Sequence, residues 1–308
     1  MGSRFAAAYM GTRGRDLPAT EQVRAHYIDR KQLNRVQVTD NILGRTLGGV
    51  MIEIDLKGRA ILITGALGAI AEAVAQRLSE AGAFLVLTDI LAEDVARERV
   101  NSWKLAADSW HYTLMDVTDS QKVSAAVKGI FDQFPHTDAA IGLAGGCPMH
   151  PFASTSLEEF ERIFRYNFMG QTYFTRSVLS EWVKRNITGQ IIYTSSLVGS
   201  LPWPDLSSYT SAKAAVEMFA KCLALEYAER HIRFNVVAPG HVATGSQLKI
   251  YNEDAPYRAM VNRVIPLKRM VRPEAIADAF LWLCSPLADD VNGQVIKVDL
   301  GASIPKVG

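Results

Sequence analysis

Two patterns of apolar and polar positions alternate along most of this chain. Short runs rich in aliphatic and β-branched residues are followed by longer stretches in which apolar residues recur every three or four positions. The first pattern is typical of buried strands and the second of amphipathic helices. Strands are predicted at 59–64, 83–88, 110–115, 139–143, 189–195, 232–238 and 294–298. Helices are predicted at 69–82, 92–107, 119–134, 157–185, 208–229 and 273–284.

The regular alternation of strands and helices predicts an α/β fold. Each strand–helix–strand unit implies a crossover between parallel strands, so about seven strands should form one doubly wound parallel sheet with helices on both faces. We assign residues 55–308 to this single domain. Within it, periodicity is weak over about 244–268, which we interpret as a loop. Residues 1–54 are interpreted as an N-terminal extension.

The N-terminal extension has a different charge from the rest of the chain. Residues 1–50 contain seven Arg and one Lys against one Glu and three Asp, a local charge of +4. Since the whole chain carries +1, the remainder carries −3. A basic start of this kind is compatible with a transit peptide, and equally with an arm that contacts a neighbouring subunit.

Composition excludes several classes of function. The 308 residues include 33 basic and 32 acidic side chains, which argues against a nucleic-acid surface. No apolar run approaches the ~18 residues of a membrane span. The three cysteines show neither CxxC nor zinc-ligand spacing, so we expect no metal site and no disulfide framework. We interpret them as small buried hydrophobic residues in a protein of the reducing cytoplasm.

A glycine-rich turn joins the first predicted strand to the first predicted helix. It reads Thr64-Gly-Ala-Leu-Gly-Ala-Ile-Ala71, and small residues there bring helix N–H groups against a pyrophosphate. Asp89 ends the second predicted strand, where a carboxylate accepts from both hydroxyls of an adenosine ribose and repels a 2′-phosphate. No cation lies beside it in sequence, so the predicted cofactor is NAD. The alternative is a plain strand-to-helix turn with Asp89 as a helix N-cap.

A second candidate site lies in the later half of the chain. Tyr209 and Lys213 are four residues apart in a predicted helix, so their side chains share one helix face. Because a neighbouring cation favours phenolate, we expect Lys213 to lower the pKa of Tyr209. Ser196 directly follows a predicted strand. In α/β proteins, sites are built at the carboxyl ends of the strands. Together these residues predict proton transfer by Tyr209.

These motifs, in this order, resemble the short-chain dehydrogenase/reductase family over about residues 55–303. The turn at 64–71 is similar to the family's TGxxxGxG motif. Gly142-Leu-Ala-Gly145 stands where the family has NNAG. Both asparagines are therefore missing, and the side-chain hydrogen bond that supports the central strand is expected to be lost. Further segments that resemble the family are 116–117, 166–170, 233–244 and 298–301.

The resemblance implies a Rossmann-type fold and a set of site residues. It assigns catalysis to Asn167, Ser196, Tyr209 and Lys213, with Asn167 holding a water that relays the proton. The implied cofactor-binding residues are Gly65, Leu67, Gly68, Ala69, Ile70, Asp89, Asp116, Val117, Ala144, Gly145, Tyr209, Lys213, Pro239, Gly240, Val242 and Thr244. The implied substrate-binding residues are His150, Val198, Trp203 and His241, and the loop at about 244–268 is the implied substrate loop.

The same resemblance implies reversible oxidation of a secondary alcohol to a ketone or lactone, with NAD as acceptor. Aromatic and polar residues around the expected pocket favour a sugar, a polyol or another small hydroxylated substrate. Two alternatives remain, a 3-oxoacyl-thioester reductase and a non-catalytic nucleotide-binding protein with a regulatory or scaffold role. Family members pair their long helices, which implies a homotetramer or a homodimer.

Overall fold

The computed structural model describes residues 53–106 and 108–304 of the chain. Over these residues one parallel sheet has the strand order β3-β2-β1-β4-β5-β6-β7. The prediction of a single parallel sheet of about seven strands with helices on both faces is confirmed. The strands are β1 (Ala60–Thr64), β2 (Phe84–Asp89), β3 (Trp110–Leu114), β4 (Thr137–Gly142), β5 (Gln190–Thr194), β6 (Arg233–Pro239) and β7 (Val295–Val298).

Helices connect the strands and cover the sheet. Those in the first half are α1 (Ala71–Glu80), α2 (Glu93–Asn101), α3 (Ser120–Gln133) and α4 (Leu157–Phe164). Those in the second half are α5 (Gly170–Arg185), α6 (Ser207–Glu226), α7 (Gly245–Glu253), α8 (Ala255–Val264) and α9 (Pro273–Cys284). None of the helices within the described ranges combines the length and the apolar character that crossing a membrane requires.

Two apolar cores lie on opposite faces of the sheet. In β1, Ile61 and Ile63 belong to one core and Leu62 to the other, because successive strand residues point to opposite faces. Helices α1, α2 and α9 cover the first core, and α3, α5 and α6 cover the second. This two-sided burial explains why the strands read as continuous apolar runs in the sequence.

The helix predicted over 157–185 is interrupted. A π-helical turn, Arg165–Met169, separates α4 from α5. The side chain of Asn167 donates to the carbonyl of Ile163, four residues earlier, at 3.0 Å. A side chain that takes a backbone acceptor within its own helix competes with the helical hydrogen bonds, which is a physical reason for the π turn. Single π turns of this kind are frequent at functional sites.

The stretch 244–268, predicted to be a loop, contains α7 and α8. The break between them falls at Asp254, whose side chain accepts from the backbone N–H of Tyr257 at 2.9 Å and so caps α8. Pro256 occupies the first turn of α8, where a missing N–H has no cost. In the sequence, Gly and Pro close to a cap residue made this pair of short helices look irregular.

The sheet order creates a crevice at one edge. Strands β1 and β4 are neighbours, and the chain winds outward from them in opposite directions. The connections that follow these two strands therefore diverge at their carboxyl ends, which is where open α/β sheets bind ligands. Residues 1–52, which are all but the last two residues of the predicted N-terminal extension, lie outside the described residues.

Candidate active site

Most residues proposed for the site lie along the carboxyl edge of the sheet. The glycine turn follows β1, residues 143–150 follow β4, residues 195–198 follow β5, and residues 240–244 follow β6. Since the strands are parallel, all four connections leave the sheet at the same edge. Sequence motifs that are far apart in the chain are thus neighbours in the fold.

The glycine turn packs directly against the loop after β4. Gly65 has a φ of +61°, and a Cβ at this position would lie 2.5 Å from the Cα of Ala144. Glycine is required here, because any side chain would force the two segments apart. Helix α1 then begins at Ala71, two residues later than predicted, without a side-chain cap. The N–H groups of its first turn have no earlier helical acceptor, an arrangement that binds pyrophosphate.

Asp89 at the end of β2 holds the glycine turn in position. One carboxylate oxygen accepts from the backbone N–H of Leu67 at 3.0 Å, and the other accepts from that of Ile90 at 2.8 Å. The residue is half-buried, and each oxygen can accept a further hydrogen bond. A carboxylate so placed fits the paired hydroxyls of an adenosine ribose.

Asp116 and Val117 lie beside Asp89 at the same edge. The backbone N–H of Met115 donates to the Asp89 carbonyl oxygen at 2.8 Å, which joins the ends of β3 and β2. Oδ1 of Asp116 accepts from the hydroxyl of Thr118 at 2.7 Å. Val117 packs so closely on α5 that a Cβ at Gly170 would lie 2.9 Å from it. Both residues are therefore fixed next to the expected adenosine position.

Asn167 is fully buried and clasps the loop after β4. Its Nδ2 donates to the Gly146 carbonyl oxygen at 2.9 Å, and its Oδ1 accepts from the Gly146 N–H at 3.2 Å. A Cβ at Gly145 would lie 2.7 Å from the same Oδ1 and 3.3 Å from Nζ of Lys213. Gly145 thus lies between the predicted catalytic asparagine and lysine, and only the absence of a side chain allows this.

Three consecutive residues at the end of β5 contact three successive turns of α6. Nζ of Lys213 donates to the Thr194 carbonyl oxygen at 2.8 Å, and the hydroxyl of Ser195 donates to Glu217 at 2.7 Å. The side chain of Ser196 forms a hydrogen bond with that of Tyr209. The structure therefore brings Ser196, Tyr209 and Lys213 together as predicted, and it adds Glu217. The signal for Glu217 in the sequence was its position four residues after Lys213, on the same helix face as Tyr209 and Lys213.

The pKa of Tyr209 departs from its usual value in the direction opposite to our prediction. Burial of the phenol is the largest cause and raises its pKa, whereas its hydrogen bond with Ser196 acts the other way. Burial also lowers the pKa of Lys213 to about 8. Nζ of Lys213 is 5.6 Å from the centroid of the Tyr209 ring. In the protein alone, loss of hydration dominates, and the neighbouring lysine does not lower the pKa of Tyr209.

The segment after β6 is held between β7 and residue 271. The N–H of Gly240 donates to the Val298 carbonyl oxygen at 3.0 Å. A Cβ at Gly240 would lie 2.8 Å from the Cα of Asp299. Val242 is buried and pairs with Val271 in an isolated bridge. Pro239 and Thr244 flank this segment, so all four predicted cofactor residues of this region belong to one restrained stretch.

The predicted substrate residues occupy different environments. Val198 is buried in a small apolar cluster, against which Trp203 and Tyr209 pack. The rings of Trp203 and His241 are 5.7 Å apart and steeply inclined. Burial lowers the pKa of His241, and its Nε2 is buried without a hydrogen-bond partner among the described residues. His150 is exposed, and its backbone N–H donates to the carbonyl oxygen of Asp205 at 2.8 Å.

Cys147 lies in the cleft, where the sequence had indicated no function for it. Its thiol interacts electrostatically with Lys213 and Tyr209. The residue as a whole is exposed, yet its surroundings desolvate the thiol and raise its pKa to about 11. The prediction of three buried cysteines was wrong, since Cys222 is also exposed and Cys284 alone of the three is buried. In the sequence, the feature that indicates its place near Lys213 is that Cys147 directly follows Gly145 and Gly146.

Comparison with known proteins agrees with this geometry. The model of a family described as enoyl-(acyl carrier protein) reductase matches residues 65–303. The chain belongs to the short-chain dehydrogenase/reductase family. Like the other members, it is an oxidoreductase that acts on CH–OH groups and uses a nicotinamide cofactor. The match begins at Gly65 in the glycine turn and ends beyond β7, so it spans the whole site.

Individual relatives in this family differ in substrate. The chain is 32% identical over 250 residues to 3beta-hydroxysteroid dehydrogenase 1 of Eggerthella lenta, covering 81% of this chain and 95% of that protein. It is 30% identical to 3-oxoacyl-(acyl-carrier-protein) reductase of Aquifex aeolicus, covering 81% and 99%. The crystal structure of a putative 2-deoxy-d-gluconate 3-dehydrogenase from Agrobacterium tumefaciens, with bound NADP, superposes with a TM-score of 0.72 at 26% identity, covering 81% and 98%.

Proposed function

We propose that the chain catalyses reversible hydride transfer between NAD and a secondary alcohol, with Tyr209 as the residue that moves the proton. The observation that supports this most strongly is the convergence of Tyr209, Ser196 and Lys213 at the same edge of the sheet as the glycine turn and Asp89. When bound, the nicotinamide cofactor accepts the hydride from the alcohol carbon or returns it to the ketone.

The three side chains have separate roles in this proposal. Ser196 donates a hydrogen bond to the substrate oxygen and stabilises charge as it develops there. Tyr209 donates a proton to that oxygen during reduction and removes it during oxidation. Lys213 uses one N–H on Thr194 and has two more for the cofactor ribose. Because the Tyr209 pKa is raised in the protein alone, oxidation requires a further positive charge near the phenol.

Asn167 acts as a positioning residue in this proposal. Both of its amide N–H groups already have backbone acceptors, on Gly146 and Ile163. Its Oδ1 accepts one hydrogen bond and has a second lone pair, so the predicted role of Asn167 as the holder of a relay water stays part of the proposal. Asn167 keeps the Gly145–Gly146 backbone beside Lys213, where the cofactor must pass.

We propose NAD rather than NADP as the cofactor. Asp89 places a carboxylate beside the glycine turn, and a 2′-phosphate at that position would meet like charge. The relative that holds NADP shows that members of this fold accept either dinucleotide. The preference of this chain is thus proposed from Asp89 itself and from the uncharged residues that follow it.

We propose a sugar, a polyol or another small neutral hydroxylated compound as the substrate. Trp203 offers an aromatic face, and the buried Nε2 of His241 has no partner within the described residues. Since burial lowers the pKa of His241, its imidazole is neutral at pH 7 and can exchange hydrogen bonds with a hydroxyl group. The putative deoxygluconate dehydrogenase among the relatives supports the same substrate class.

A substrate screen tests this proposal. The full chain is incubated with NAD⁺ or NADP⁺ and with sugars, polyols, hydroxy acids and steroid alcohols, and the absorbance of the reduced nicotinamide is followed. We expect turnover with a hydroxylated sugar or polyol, and a kcat/KM for NAD⁺ at least tenfold above that for NADP⁺. Turnover of steroid alcohols alone, or a preference for NADP⁺, contradicts the substrate or the cofactor assignment respectively.

The two alternatives are distinguished when the screen is extended by an acyl thioester with NADPH and by a titration of NADH binding. A 3-oxoacyl-thioester reductase oxidises NADPH in the presence of an acyl thioester, and it needs basic residues for an acidic carrier protein. The long helical stretch offers three such residues, Arg162, Arg165 and Arg176. Arg162 is already paired with Glu159 at 2.7 Å. A regulatory or scaffold protein binds NADH without turnover of any compound in the screen.

We further infer that residues 55–308 form the catalytic domain and that the chain forms a homotetramer or a homodimer in the cytoplasm. A groove on the outer side of α4, the π turn and α5 supports self-association, because apolar side chains line most of it. Its lining residues are Phe160, Glu161, Phe164, Arg165, Met169 and Tyr173. The three cysteines carry free thiols, which fits a reducing compartment. The molecular mass in solution, measured with and without residues 1–50, tests the assembly.

A further inference from the structure

A row of buried polar side chains runs along one face of the helix that contains the π turn. Asn167, Gln171 and Thr175 follow one another at intervals of four residues, and each is at most 2% exposed. Asn167 bonds to Gly146, and the hydroxyl of Thr175 lies 2.7 Å from that of Tyr193 in β5. The middle member, Gln171, faces the end of β4. Buried polar side chains are costly unless they form hydrogen bonds, so each needs a structural or functional reason.

Gln171 occupies the space that a side chain at position 142 would need. Its Nε2 donates to the Ala144 carbonyl oxygen at 3.0 Å. A Cβ at Gly142 would lie 2.0 Å from its Oε1 and 3.1 Å from its Nε2. Any residue other than glycine at position 142 therefore displaces the Gln171 amide. Oε1 itself has no partner among the described residues, so the Ala144 contact is what the side chain provides.

Ala144 is the point at which the cofactor turn and the central strands meet. A Cβ at Gly65 would lie 2.5 Å from its Cα, so Ala144 fixes how closely the glycine turn can approach. Its N–H points to the hydroxyl of Thr64 at a long 3.4 Å, whereas its carbonyl is held by Gln171. The next residues, Gly145 and Gly146, lead to Asn167. A shift of Ala144 thus moves the glycine turn and the Gly145–Gly146 backbone together.

We propose that Gln171 is a positioning residue that holds the Ala144–Gly146 backbone in place for the cofactor, and that it can do so only because position 142 is glycine. The hydrogen bond that the missing asparagines would have provided is supplied from the neighbouring helix. This inference rests on the proposed function of the site as a nicotinamide cofactor pocket.

The first test removes the donor and keeps the volume. Gln171→Met fills a similar space and lacks the N–H that holds Ala144. We expect the dissociation constant for NADH, measured by fluorescence titration, to rise about tenfold, because a buried carbonyl loses its donor. The melting temperature should change little, since the unpartnered Oε1 is removed as well. A wild-type dissociation constant for Gln171→Met overturns the proposal.

The second test examines whether an asparagine at position 142 can replace the glutamine at position 171. Gly142→Asn alone should weaken NADH binding by at least the same factor, because its side chain collides with the Gln171 amide. Combining Gly142→Asn with Gln171→Ala gives the asparagine room, and we expect binding to return to within about threefold of wild type. A double variant that binds no better than Gly142→Asn alone contradicts this replacement.

A matched control separates positioning from general stability. Thr175→Val removes the next hydrogen bond of the same row, which joins two core side chains away from the cofactor. We expect its melting temperature to fall while NADH binding stays unchanged. If Gln171→Met behaves in the same way, Gln171 is merely structural and the proposal is overturned. If the wild-type chain binds neither NADH nor NADPH, the proposed function of the site is what fails.

Discussion

The proposed cofactor side and the proposed substrate side of the crevice are built in different ways. On the cofactor side, backbone meets backbone: Gly65 touches Ala144, and Gly240 touches Asp299. On the substrate side, contacts are made by side chains of loops and short helices, as in the pair Trp203 and His241. Backbone contacts restrict sequence and geometry strongly, whereas side-chain contacts can be exchanged. A common cofactor and varied substrates within one family follow from this difference.

The largest effect is expected where the two sides meet. Tyr209→Phe removes the group that moves the proton and leaves both binding surfaces intact. We expect kcat to fall about 10³-fold while the dissociation constant for NADH stays within about twofold. Tyr193→Phe is the matched control, because the Tyr193 hydroxyl bonds to Thr175 in the core. It should lower stability and retain kcat. Near wild-type turnover by Tyr209→Phe disproves the role of the phenol.

Lys213 joins the two sides, and its burial predicts a dependence of stability on pH. Its pKa is about 8 in the folded protein, below the usual 10.5 of the unfolded chain. Between these values the unfolded state binds more protons, so the free energy of unfolding should rise as pH increases from 8 to 10.5. Relative to Lys213→Met, which cannot titrate, we expect wild type to gain roughly 2 kcal/mol across that window.

Denaturant titrations at several pH values between 8 and 10.5 measure this gain. Lys221→Met, which replaces an exposed lysine of the same helix, is the control and should follow wild type. Parallel curves for wild type and Lys213→Met would show that the lysine ammonium is hydrated in the folded protein.

On the cofactor side, Asp89→Ala should alter the choice of dinucleotide. The substitution removes the acceptor for the ribose hydroxyls and the hydrogen bond to the Leu67 N–H. We expect kcat/KM for NAD⁺ to fall about tenfold and that for NADP⁺ to rise or stay constant. Asp94→Ala on the exposed face of α2 serves as the control. An unchanged ratio of the two values would mean that Asp89 acts only as a structural cap.

On the substrate side, Trp203→Ala should affect the alcohol and spare the cofactor. Loss of the aromatic face is expected to raise KM for the substrate about fivefold, because one stacked ring contributes about 1 kcal/mol. The dissociation constant for NADH should remain at its wild-type value. A parallel loss of NADH binding would show that the two sides are less separate than the contacts indicate.

Those parts of the structure that depend on local patterns could be predicted from the sequence. The strands, their parallel direction and the shared helix face of Tyr209 and Lys213 follow from hydrophobic patterns and helix geometry. The pKa of Tyr209 could not be predicted, because burial arises from elements that are distant in sequence. Gln171 was missed for a similar reason: a glutamine in a helix is typical of a solvated face, and its partner Ala144 lies in the loop after β4.

Irregular elements were the other part that local patterns did not predict. Helices α7 and α8 are each about ten residues long, too short for a repeat to be distinguished from chance. The π turn at Arg165–Met169 preserves the helical pattern on both sides, so only the side chain of Asn167 marks its position. The segment 244–268, which we expected to contact the substrate, contains α7 and α8, and this is why it was predicted less completely than the glycine turn.

The contacts of Thr194, Ser195 and Ser196 with Lys213, Glu217 and Tyr209 have a mechanical consequence. A strand end fastened to three turns of one helix can neither slide along it nor rotate against it without breaking all three hydrogen bonds at once. The reacting groups therefore move as a single rigid body, and adaptation to different substrates falls to the surrounding loops. Exchange of the α7–α8 segment between relatives is consequently a route to new specificities that leaves the chemistry undisturbed.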